Sequence, residues 1–323
     1  MMILKKKILY KDWIYDWLKE KKEYIKESTY ANYTNIVFNH IIPKLGDYYL
    51  NEINHKIIQD FLLELSKSGR KNGNGGLAGK TIKDITIVIK ESIKKGINEN
   101  KINHFELSFN YPKDNNCKSI YILTKKEQLK ITNFVLENIT SKNIGFLIAL
   151  YSGIRIGELC SLQWKDIDYK NNKLFISKTI QRIYIKDKNT NISKVIISTP
   201  KTINANREIP INKGLLDILK KLKSDENNYV LSNSEKYIEP RTYRKYFMKV
   251  LNELNIKSFK FHSLRHTFAT NCISAGCDYK TVSELLGHSN VNITLNLYVH
   301  PEFSQKKKCI DLISKIFNEK ANK

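Results

Sequence analysis

Near its end the chain carries a histidine, an arginine, a second histidine and a tyrosine, and this stretch constrains the function most. His262 and Arg265 are three residues apart, which places them on one face of a helix. His288 follows Arg265 by 23 residues within an L-G-H-S sequence, and Tyr298 follows ten residues later. Arginine binds phosphate through a planar fork of donors, histidine transfers protons near neutral pH, and a phenol can act as a nucleophile. The order and spacing of the set therefore indicate chemistry on a phosphate group.

Two further motifs lie upstream of this stretch. One is a G-x-R-x-G-E-L sequence that contains Arg155 and Glu158. The other places Lys201 in a T-P-K-T sequence, which an R-E-I-P sequence beginning at Arg207 follows. Together with H-x-x-R, L-G-H-S and the tyrosine, these motifs resemble the signature of the tyrosine recombinase, or phage integrase, family. All six active-site positions expected for that family are filled in chain order.

The resemblance implies a role for each of these residues. Tyr298 is the expected nucleophile, which would cleave one DNA strand and form a 3′-phosphotyrosine; its alternative is an ordinary interfacial tyrosine. Arg155 and Arg265 would bind the non-bridging oxygens of the scissile phosphate and offset the charge of the transition state. His262 would accept the phenolic proton, and His288 would donate to a phosphate oxygen.

Lys201 is the expected general acid for the departing 5′ oxygen, because an ammonium group among arginines can have its pKa lowered. Lys178 and Lys194 flank the same predicted sheet and are alternatives for this role. Glu158 lies three residues after Arg155, and it would orient the neighbouring cations, because a carboxylate beside a phosphate would repel it.

His262 and His266 also have the i, i+4 spacing of histidines that share a zinc ion. The metalloprotease pattern needs a glutamate directly after the first histidine, where this chain has Ser263. The sequence near them shows no acidic cluster suited to magnesium. We therefore expect a site without a metal or other cofactor, in which the phosphotyrosine conserves the phosphodiester energy and ATP is not needed. His266 and His300 are expected to be structural.

Length and charge bound the partner class. A chain of 323 residues exceeds one ordinary core, which favours two domains. The formal net charge is +23, which favours a polyanionic partner, double-stranded DNA. A membrane partner is disfavoured because the longest apolar window, residues 144–154, is too short to span a bilayer. Five cysteines without a C-x-x-C sequence and the lack of a secretory signal favour the cytoplasm.

The hydrophobic patterns predict a mainly α fold with a small antiparallel β-sheet. Residues 1–112 are expected to form a helical domain, 113–120 a linker and 121–323 a mixed α/β domain. In the first domain, apolar stripes predict four helices: one with Trp13 and Leu18, one over 28–41 that Pro43 and Gly46 end, one capped by Asn54, and one over 82–93. The resemblance identifies these domains as a SAM-like core-binding domain, which contacts DNA, and a catalytic domain.

The second domain is predicted to begin with a helix capped by Thr124 and Glu127. Runs of β-branched residues predict three strands, and apolar periodicity predicts four later helices. The strands are 174–180, 195–198 and 207–211, and the helices are 241–254, 262–275, 279–286 and 292–297.

Gly79-Lys80-Thr81 matches the end of a phosphate-binding P-loop. The first glycine of that motif is replaced by Asn74, and a basic stretch precedes it instead of an apolar strand. We interpret the segment as a basic turn between two helices.

The resemblance predicts a site-specific recombinase for DNA integration or excision, with a resolvase of replicon dimers or an invertase as alternatives of the same chemistry. The chain could instead be a DNA-binding regulator without chemistry or a monomeric type IB topoisomerase. Beyond Tyr298, an apolar stripe with Ile310, Ile313 and Phe317 predicts a helix over about 303–319. The resemblance implies that this helix docks into a neighbouring subunit of a homo-tetramer on paired sites, with a monomer or dimer when free. Its alternative is packing on its own domain.

Overall fold

The computed structural model divides the chain into two compact units. One unit joins the chain up to Ser119 with residues 182–195, and the other joins Ile120–Gln181 with the chain from Ile196 onward. The structure describes residues 7–70, 73, 75–112, 120–199, 206–298, 307 and 310–311, with side chains up to residue 295 in the long ranges. This part of the chain is mainly helical with two small sheets, which confirms the predicted fold class. Of the predicted linker, only Ile120 is described.

Helices build most of the first unit. They are α1 (Tyr10–Lys21), α2 (Glu27–Ile36), α3 (Ile42–Leu45), α4 (His55–Ser68) and α5 (Gly79–Asn98). The predicted cap of α4 is confirmed, because the Asn54 side chain accepts a hydrogen bond from the Ile57 N–H at 3.1 Å. The predicted apolar stripes line one core, where the Trp13 Nε1 donates to the Ser92 carbonyl at 3.1 Å. The helices of this unit therefore form a bundle around a shared core.

The prediction that Pro43 helps to end the second helix is wrong, whereas the predicted stop at Gly46 is confirmed. From α2 the chain continues through a π-helical segment, Val37–Ile41, into α3, and the helix ends before Gly46. In the wider turn the Ile42 N–H bonds to the Val37 carbonyl, five residues earlier instead of four. Because proline lacks an N–H and its ring crowds the preceding turn, the wider turn allows the helix to pass through Pro43.

The segment with the partial P-loop match lies at the start of a helix. A P-loop follows a strand, whereas α4 precedes this segment and Gly79 and Lys80 are the first residues of α5. The described residues here therefore lack the architecture that cradles a nucleotide phosphate.

The second unit is built mainly from eight helices among its described residues. They are α6 (Lys125–Glu137), α7 (Ser141–Ser152), α8 (Ile156–Ser161), α9 (Lys213–Leu222), α10 (Pro240–Glu253), α11 (His262–Ser274), α12 (Tyr279–Leu286) and α13 (Val291–Tyr298). The capping box of α6 is confirmed, with Thr124 Oγ1 accepting from the Glu127 N–H at 3.2 Å and Glu127 Oε2 accepting from the Thr124 N–H at 2.8 Å. Helix α9 was not predicted, although its sequence carries helix signals: Asn212 caps it, and Leu215, Leu216 and Leu219 are buried.

Three short strands form a sheet in the second unit. They are β1 (Ile167–Asp168), β2 (Lys173–Ile176) and β5 (Arg207–Pro210), with β2 in the centre and antiparallel to both neighbours. Leu174 lies opposite Ile167 on one side and Ile209 on the other. The predicted strand over 174–180 is wrong in its extent, since β2 ends at Ile176 and a new strand begins at Thr179.

The other sheet is a hairpin of β3 (Thr179–Lys186) and β4 (Asn191–Ser198). Its outer part, residues 182–195, belongs to the first unit. There the Lys186 N–H donates to Thr34 Oγ1 at 3.2 Å, and Lys186 Nζ donates to Asn39 Oδ1 at 2.8 Å. The predicted strand over 195–198 covers only the end of β4. Most of β4 is exposed and carries polar residues, so it lacks the apolar run by which a buried strand is recognised.

Candidate active site

The G-x-R-x-G-E-L motif forms the turn between α7 and α8 and the first residues of α8. Gly153 has φ +64°, and a Cβ there would lie 2.5 Å from Phe268 Cδ1, so both conformation and space require glycine. Arg155 stands at the N-cap position of α8. At Gly157 a Cβ would lie 2.5 Å from Thr179 Oγ1, so glycine lets α8 approach the start of β3 closely. The two glycines thus fix the position from which Arg155 projects.

The Glu158 carboxylate joins two arginines. Its Oε2 accepts from the Arg155 N–H at 2.8 Å, and its Oε1 accepts from Arg155 Nη1 at 2.8 Å. Arg207 Nη1 and Nη2 donate to the two carboxylate oxygens at 3.2 and 2.9 Å. Burial alone would raise the pKa of Glu158, but the hydrogen bonds and charge of Arg207, and then the charge of Arg155, lower it to about 2. Glu158 is therefore a buried carboxylate that is paired with two arginines.

The C-terminal end of α12 collects three arginines. The last carbonyls of a helix have no partner within it, and cations near them are stabilised. Here Arg207 Nε donates to the Leu285 carbonyl at 2.7 Å, Arg265 Nη2 to the Leu286 carbonyl at 2.6 Å, and Arg155 Nη2 to the Gly287 carbonyl at 3.3 Å. Three arginines from separate elements thus contact three successive carbonyls, directly before His288.

Arg265 joins α11 to the turn after α7. It is 2% exposed, and its Nη1 donates to the Gly153 carbonyl at 2.8 Å. Through its bonds to the Gly153 and Leu286 carbonyls, Arg265 links the turn that bears Arg155 to the turn that bears His288. This side chain therefore connects sequence motifs that are more than a hundred residues apart.

Burial and neighbouring charge lower the pKa of the histidine side chains in this region. Partial burial and, after it, the neighbouring His266 and Arg265 lower the pKa of His262 to about 4. The rings of His262 and His266 lie 4.6 Å apart in an edge-to-face arrangement. Partial burial and the charge of Arg265 also lower the pKa of His266. A lowered pKa favours the neutral imidazole, which has a nitrogen that can accept a proton, and it also makes that imidazole a weaker base.

His288 follows a left-handed turn at Gly287, where φ is +64°. The backbone N–H of His288 donates to the Ser283 carbonyl at 3.0 Å. The ring Nδ1 lies 2.8 Å from the hydroxyl of the buried Thr294. Partial burial and then the charges of nearby arginines lower the pKa of His288 to about 3. The contact with Thr294 fixes the ring by one nitrogen and leaves Nε2 as the other hydrogen-bonding atom.

A cleft of about 590 Å³ lies beside these groups. Its lining consists of Ile154, Arg155, Ile156, Arg244, Lys260, Phe261 and His262. Three of these seven residues, Arg155, Arg244 and Lys260, are basic, and His262 is positively charged when protonated. This composition fits a cleft that receives an anionic group. No group of three or more residues suited to hold a metal ion occurs among the described residues.

Two of the predicted site residues lie beyond what the structure shows of side chains. Lys201 lies outside the described residues, as does His300, and Tyr298 is the last residue of α13 with no described side chain. The alternatives to Lys201 are both engaged. Lys194 forms an ion pair with Glu27 in the first unit, and Lys178 Nζ donates to Gln163 Oε1 at 3.3 Å.

Sequence reasoning missed three basic residues here: Arg207, Arg244 and Lys260. Arg207 opens the R-E-I-P sequence, and the signal available was a charged residue at the start of a β-branched strand. Arg244 and Lys260 stand among other exposed basic residues, and we find no sequence signal that separates them from these. Their place in the cleft becomes visible only in the folded chain.

Two family profiles match the chain. The phage integrase family matches residues 121–305, and the N-terminal SAM-like domain of phage integrases matches residues 9–66. The chain is 36% identical over 190 residues to a XerC-like tyrosine recombinase of Caldanaerobacter subterraneus subsp. tengcongensis, which covers 53% of this chain and 49% of that protein. It is 27% identical over 313 residues to the ICEBs1 integrase of Bacillus subtilis (strain 168), covering 88% of this chain and 77% of that protein. The chain thus spans about half the length of the XerC-like relative.

Solved structures share the fold. The Tn1549 transposon integrase in complex with transposon right end DNA has a TM-score of 0.74 and 20% identity, covering 95% of this chain and 100% of that chain. A lambda integrase tetramer bound to a Holliday junction has a TM-score of 0.58 and 21% identity, covering 88% of this chain and 78% of that chain. At these identities the likeness shows a common architecture.

Proposed function

We propose that this chain, which belongs to the phage integrase family, is a site-specific DNA recombinase that cleaves and rejoins strands through a 3′-phosphotyrosine. The observation that carries the proposal is the meeting of Arg155, Arg265 and His288 at the end of α12. His262 stands one helical turn before Arg265 in α11. Tyr298 is the last residue of α13, the helix that follows α12. These are the groups that a phosphodiester transesterification requires. DNA integration and excision are the proposed outcome.

In the proposed cleavage step, the Tyr298 phenolic oxygen forms a bond to the scissile phosphorus, and the bond from phosphorus to the 5′ oxygen breaks. His262, whose neutral form the lowered pKa favours, accepts the phenolic proton. Lys201 gives a proton to the departing 5′ oxygen. Rejoining reverses these steps with a 5′ hydroxyl as nucleophile, so the phosphotyrosine conserves the bond energy.

Arg155 and Arg265 offset the charge that builds on the phosphate during the step. Losing one such preorganised donor costs on the order of 2.7–4 kcal/mol in comparable sites. In our proposal the Thr294 hydroxyl donates to His288 Nδ1, which leaves the ring proton on Nε2 to bind a phosphate oxygen. Glu158 keeps Arg155 in place without contacting the phosphate.

Lys201 is the general acid of this proposal partly because its competitors are occupied. Lys194 pairs with Glu27, and Lys178 donates to Gln163. Lys201 lies six residues before Arg207, whose side chain is held in the site, and six residues of chain span at most about 20 Å.

The alternatives differ in what they require of the chain. A regulator that only binds DNA has no reason to retain the full set of catalytic residue types in chain order, so it is disfavoured. A resolvase, an invertase and a type IB topoisomerase share the chemistry and differ in assembly.

We propose double-stranded DNA as the substrate, a homo-tetramer on paired sites, a monomer or dimer when free, and a cytoplasmic reaction. The tetramer structure of lambda integrase, a protein of the same fold, supports the assembly.

A nicked substrate tests the chemistry. Incubated without metal on its own site with a nick near the cleavage position, the protein should form a DNA adduct that survives SDS. Tyr298→Phe should bind the same DNA and form none, because the attacking hydroxyl is gone while the binding surface is intact. Tyr151→Phe, at an exposed tyrosine of α7, is the matched control and should form the adduct as wild type does. An adduct that persists in Tyr298→Phe overturns the assignment of the nucleophile.

A further inference from the structure

Arg207 is the one arginine at the end of α12 that the proposed mechanism does not use. Its side chain is 6% exposed and makes a two-pronged ion pair with Glu158, which is 3% exposed. Its Nε donates to the Leu285 carbonyl at 2.7 Å. One guanidinium therefore ties β5, α8 and α12 together through three of its donors.

Arg207 and Arg155 share the same carboxylate. Glu158 Oε1 accepts from Nη1 of both arginines, at 2.8 Å for Arg155 and 3.2 Å for Arg207. Arg155 is the more open of the two, with a side chain 38% exposed that lines the cleft. A buried carboxylate must be paired, because an unpaired charge in the interior is strongly unfavourable. If Arg207 were absent, the pairing of Glu158 would fall to Arg155 alone.

We infer that Arg207 is a positioning residue, which offsets the charge of Glu158 so that Arg155 keeps its own positive charge for the scissile phosphate. The inference rests on the proposed function and adds a residue to it. With Arg207 in place, three arginines and one carboxylate give the cluster a net charge of +2. Without it the net charge is +1, and the remaining negative charge lies next to Arg155. Arg207 also holds the α12 carbonyl two residues before Gly287, whose own carbonyl Arg155 contacts.

The test compares two substrates in single-turnover adduct formation on a nicked site at saturating protein. One carries the natural scissile phosphodiester, and the other carries an uncharged methylphosphonate at that position. Loss of a residue that helps to offset the phosphate charge should slow the reaction of the charged substrate more than that of the uncharged one. A loss of structure should slow both reactions by the same factor. The measured quantity is the rate on the phosphodiester divided by the rate on the methylphosphonate.

Arg207→Ala should slow the phosphodiester reaction by on the order of 10²-fold and lower the ratio by about tenfold. Arg207→Ala with Glu158→Gln should recover the ratio, because the uncharged amide no longer draws on Arg155. Arg207→Lys retains the charge and should keep the ratio near that of wild type even if the rate falls. Lys173→Ala, which breaks the neighbouring surface pair with Glu208, is the matched control and should change neither rate.

Thermal unfolding and single-site DNA binding establish that each variant is folded. Should Arg207→Ala fail to fold, Arg207→Gln, which removes the charge and keeps hydrogen-bond donors, should lower the ratio in its place, and an unchanged ratio there overturns the inference. An unchanged ratio in Arg207→Ala, or no recovery in the double variant, overturns the inference and leaves Arg207 a structural residue. Failure of the proposed function would be seen separately, as a wild-type protein that forms no Tyr298-dependent adduct.

Discussion

At the scale of single residues, the site is defined by how charges are paired. Glu158 is buried between Arg155 and Arg207, and Arg265 is almost wholly enclosed while it donates to two backbone carbonyls. These contacts hold the guanidinium groups before any DNA arrives, so little reorganisation is needed when a phosphate binds. Such preorganisation supplies much of the rate enhancement in many enzymes that stabilise a developing charge.

Lys201 provides a prediction at this scale that separates proton donation from phosphate binding. Lys201→Ala should form adduct slowly on natural DNA and be partly rescued by a substrate with a 5′-bridging phosphorothiolate, because a thiolate leaves without a proton. Arg265→Ala should not be rescued, since its positive charge is still missing from the non-bridging oxygens. Adduct rates on the two substrates provide the measurement.

The chain offers two lysines as controls for this experiment. Lys178→Ala and Lys194→Ala remove ammonium groups that are engaged with Gln163 and Glu27, so neither should show rescue by sulfur. A rescue confined to Lys178→Ala would move the general acid to that residue.

At the scale of elements, helix ends and tight turns position the site. Gly153 closes α7, Arg155 begins α8, and the end of α12 receives three arginines. Close packing at Gly157 then sets the distance between α8 and β3. The guanidinium groups of the proposed site are thus placed by backbone geometry that only a few residue types allow.

Gly157→Ala tests this dependence. The new Cβ would lie 2.5 Å from Thr179 Oγ1 and 2.7 Å from the Ile180 carbonyl, so α8 must shift. Overpacking of this kind costs roughly 1–3 kcal/mol of stability, and the shift should also slow adduct formation because Arg155 moves with α8.

Gly214→Ala in α9 is the matched control, where the new Cβ meets only Asn212 Oδ1 at 3.6 Å. It should stabilise the protein by about 0.5–1 kcal/mol, measured by denaturant unfolding. Equal stability of Gly157→Ala and wild type would contradict a close approach of α8 to β3.

Sequence patterns predicted the elements that local rules control. The Asn54 cap, the Thr124 capping box and the helix that begins at His262 follow from short-range signals, and the structure confirms them. The burial of Arg207 could not be predicted, because its partners Glu158 and Leu285 lie 49 and 78 residues away. The passage of the helix through Pro43 was missed because a π-helical turn leaves no mark in residue composition. The contacts of the β3–β4 hairpin with the helices of the first unit are likewise long-range.

At the scale of the whole molecule, the net charge of +23 and the proposed pairing of subunits act together. Charge of this size gives DNA binding a steep dependence on salt through the release of counterions, whatever the sequence bound. Recognition of paired sites needs more than charge, because cooperative occupancy requires contacts between subunits. We propose that the C-terminal segment, residues 303–319, supplies them.

Most of this segment lies outside the described residues. The three residues that the structure describes, Lys307, Ile310 and Asp311, are helical. Its sequence places Ile310, Ile313 and Phe317 on one face, with further apolar residues beside them. Docking such a face into a neighbouring subunit would bury about four large side chains, at roughly 1.5–3 kcal/mol each before ordering costs.

Ending the chain after Phe303 should therefore leave binding to a single site nearly intact, because the DNA-contacting charge is retained in the rest of the chain. The same truncation should remove cooperative occupancy of paired sites and recombination between them. Gel-shift titrations on one-site and two-site DNA, with a recombination assay on the same DNA, provide the measurement. Replacing Ile313 and Phe317 by serine should reproduce the loss if the apolar face is its cause, whereas Lys306→Ser and Lys308→Ser should not. Recombination at the full-length rate by the truncated protein would show that the segment packs only on its own domain.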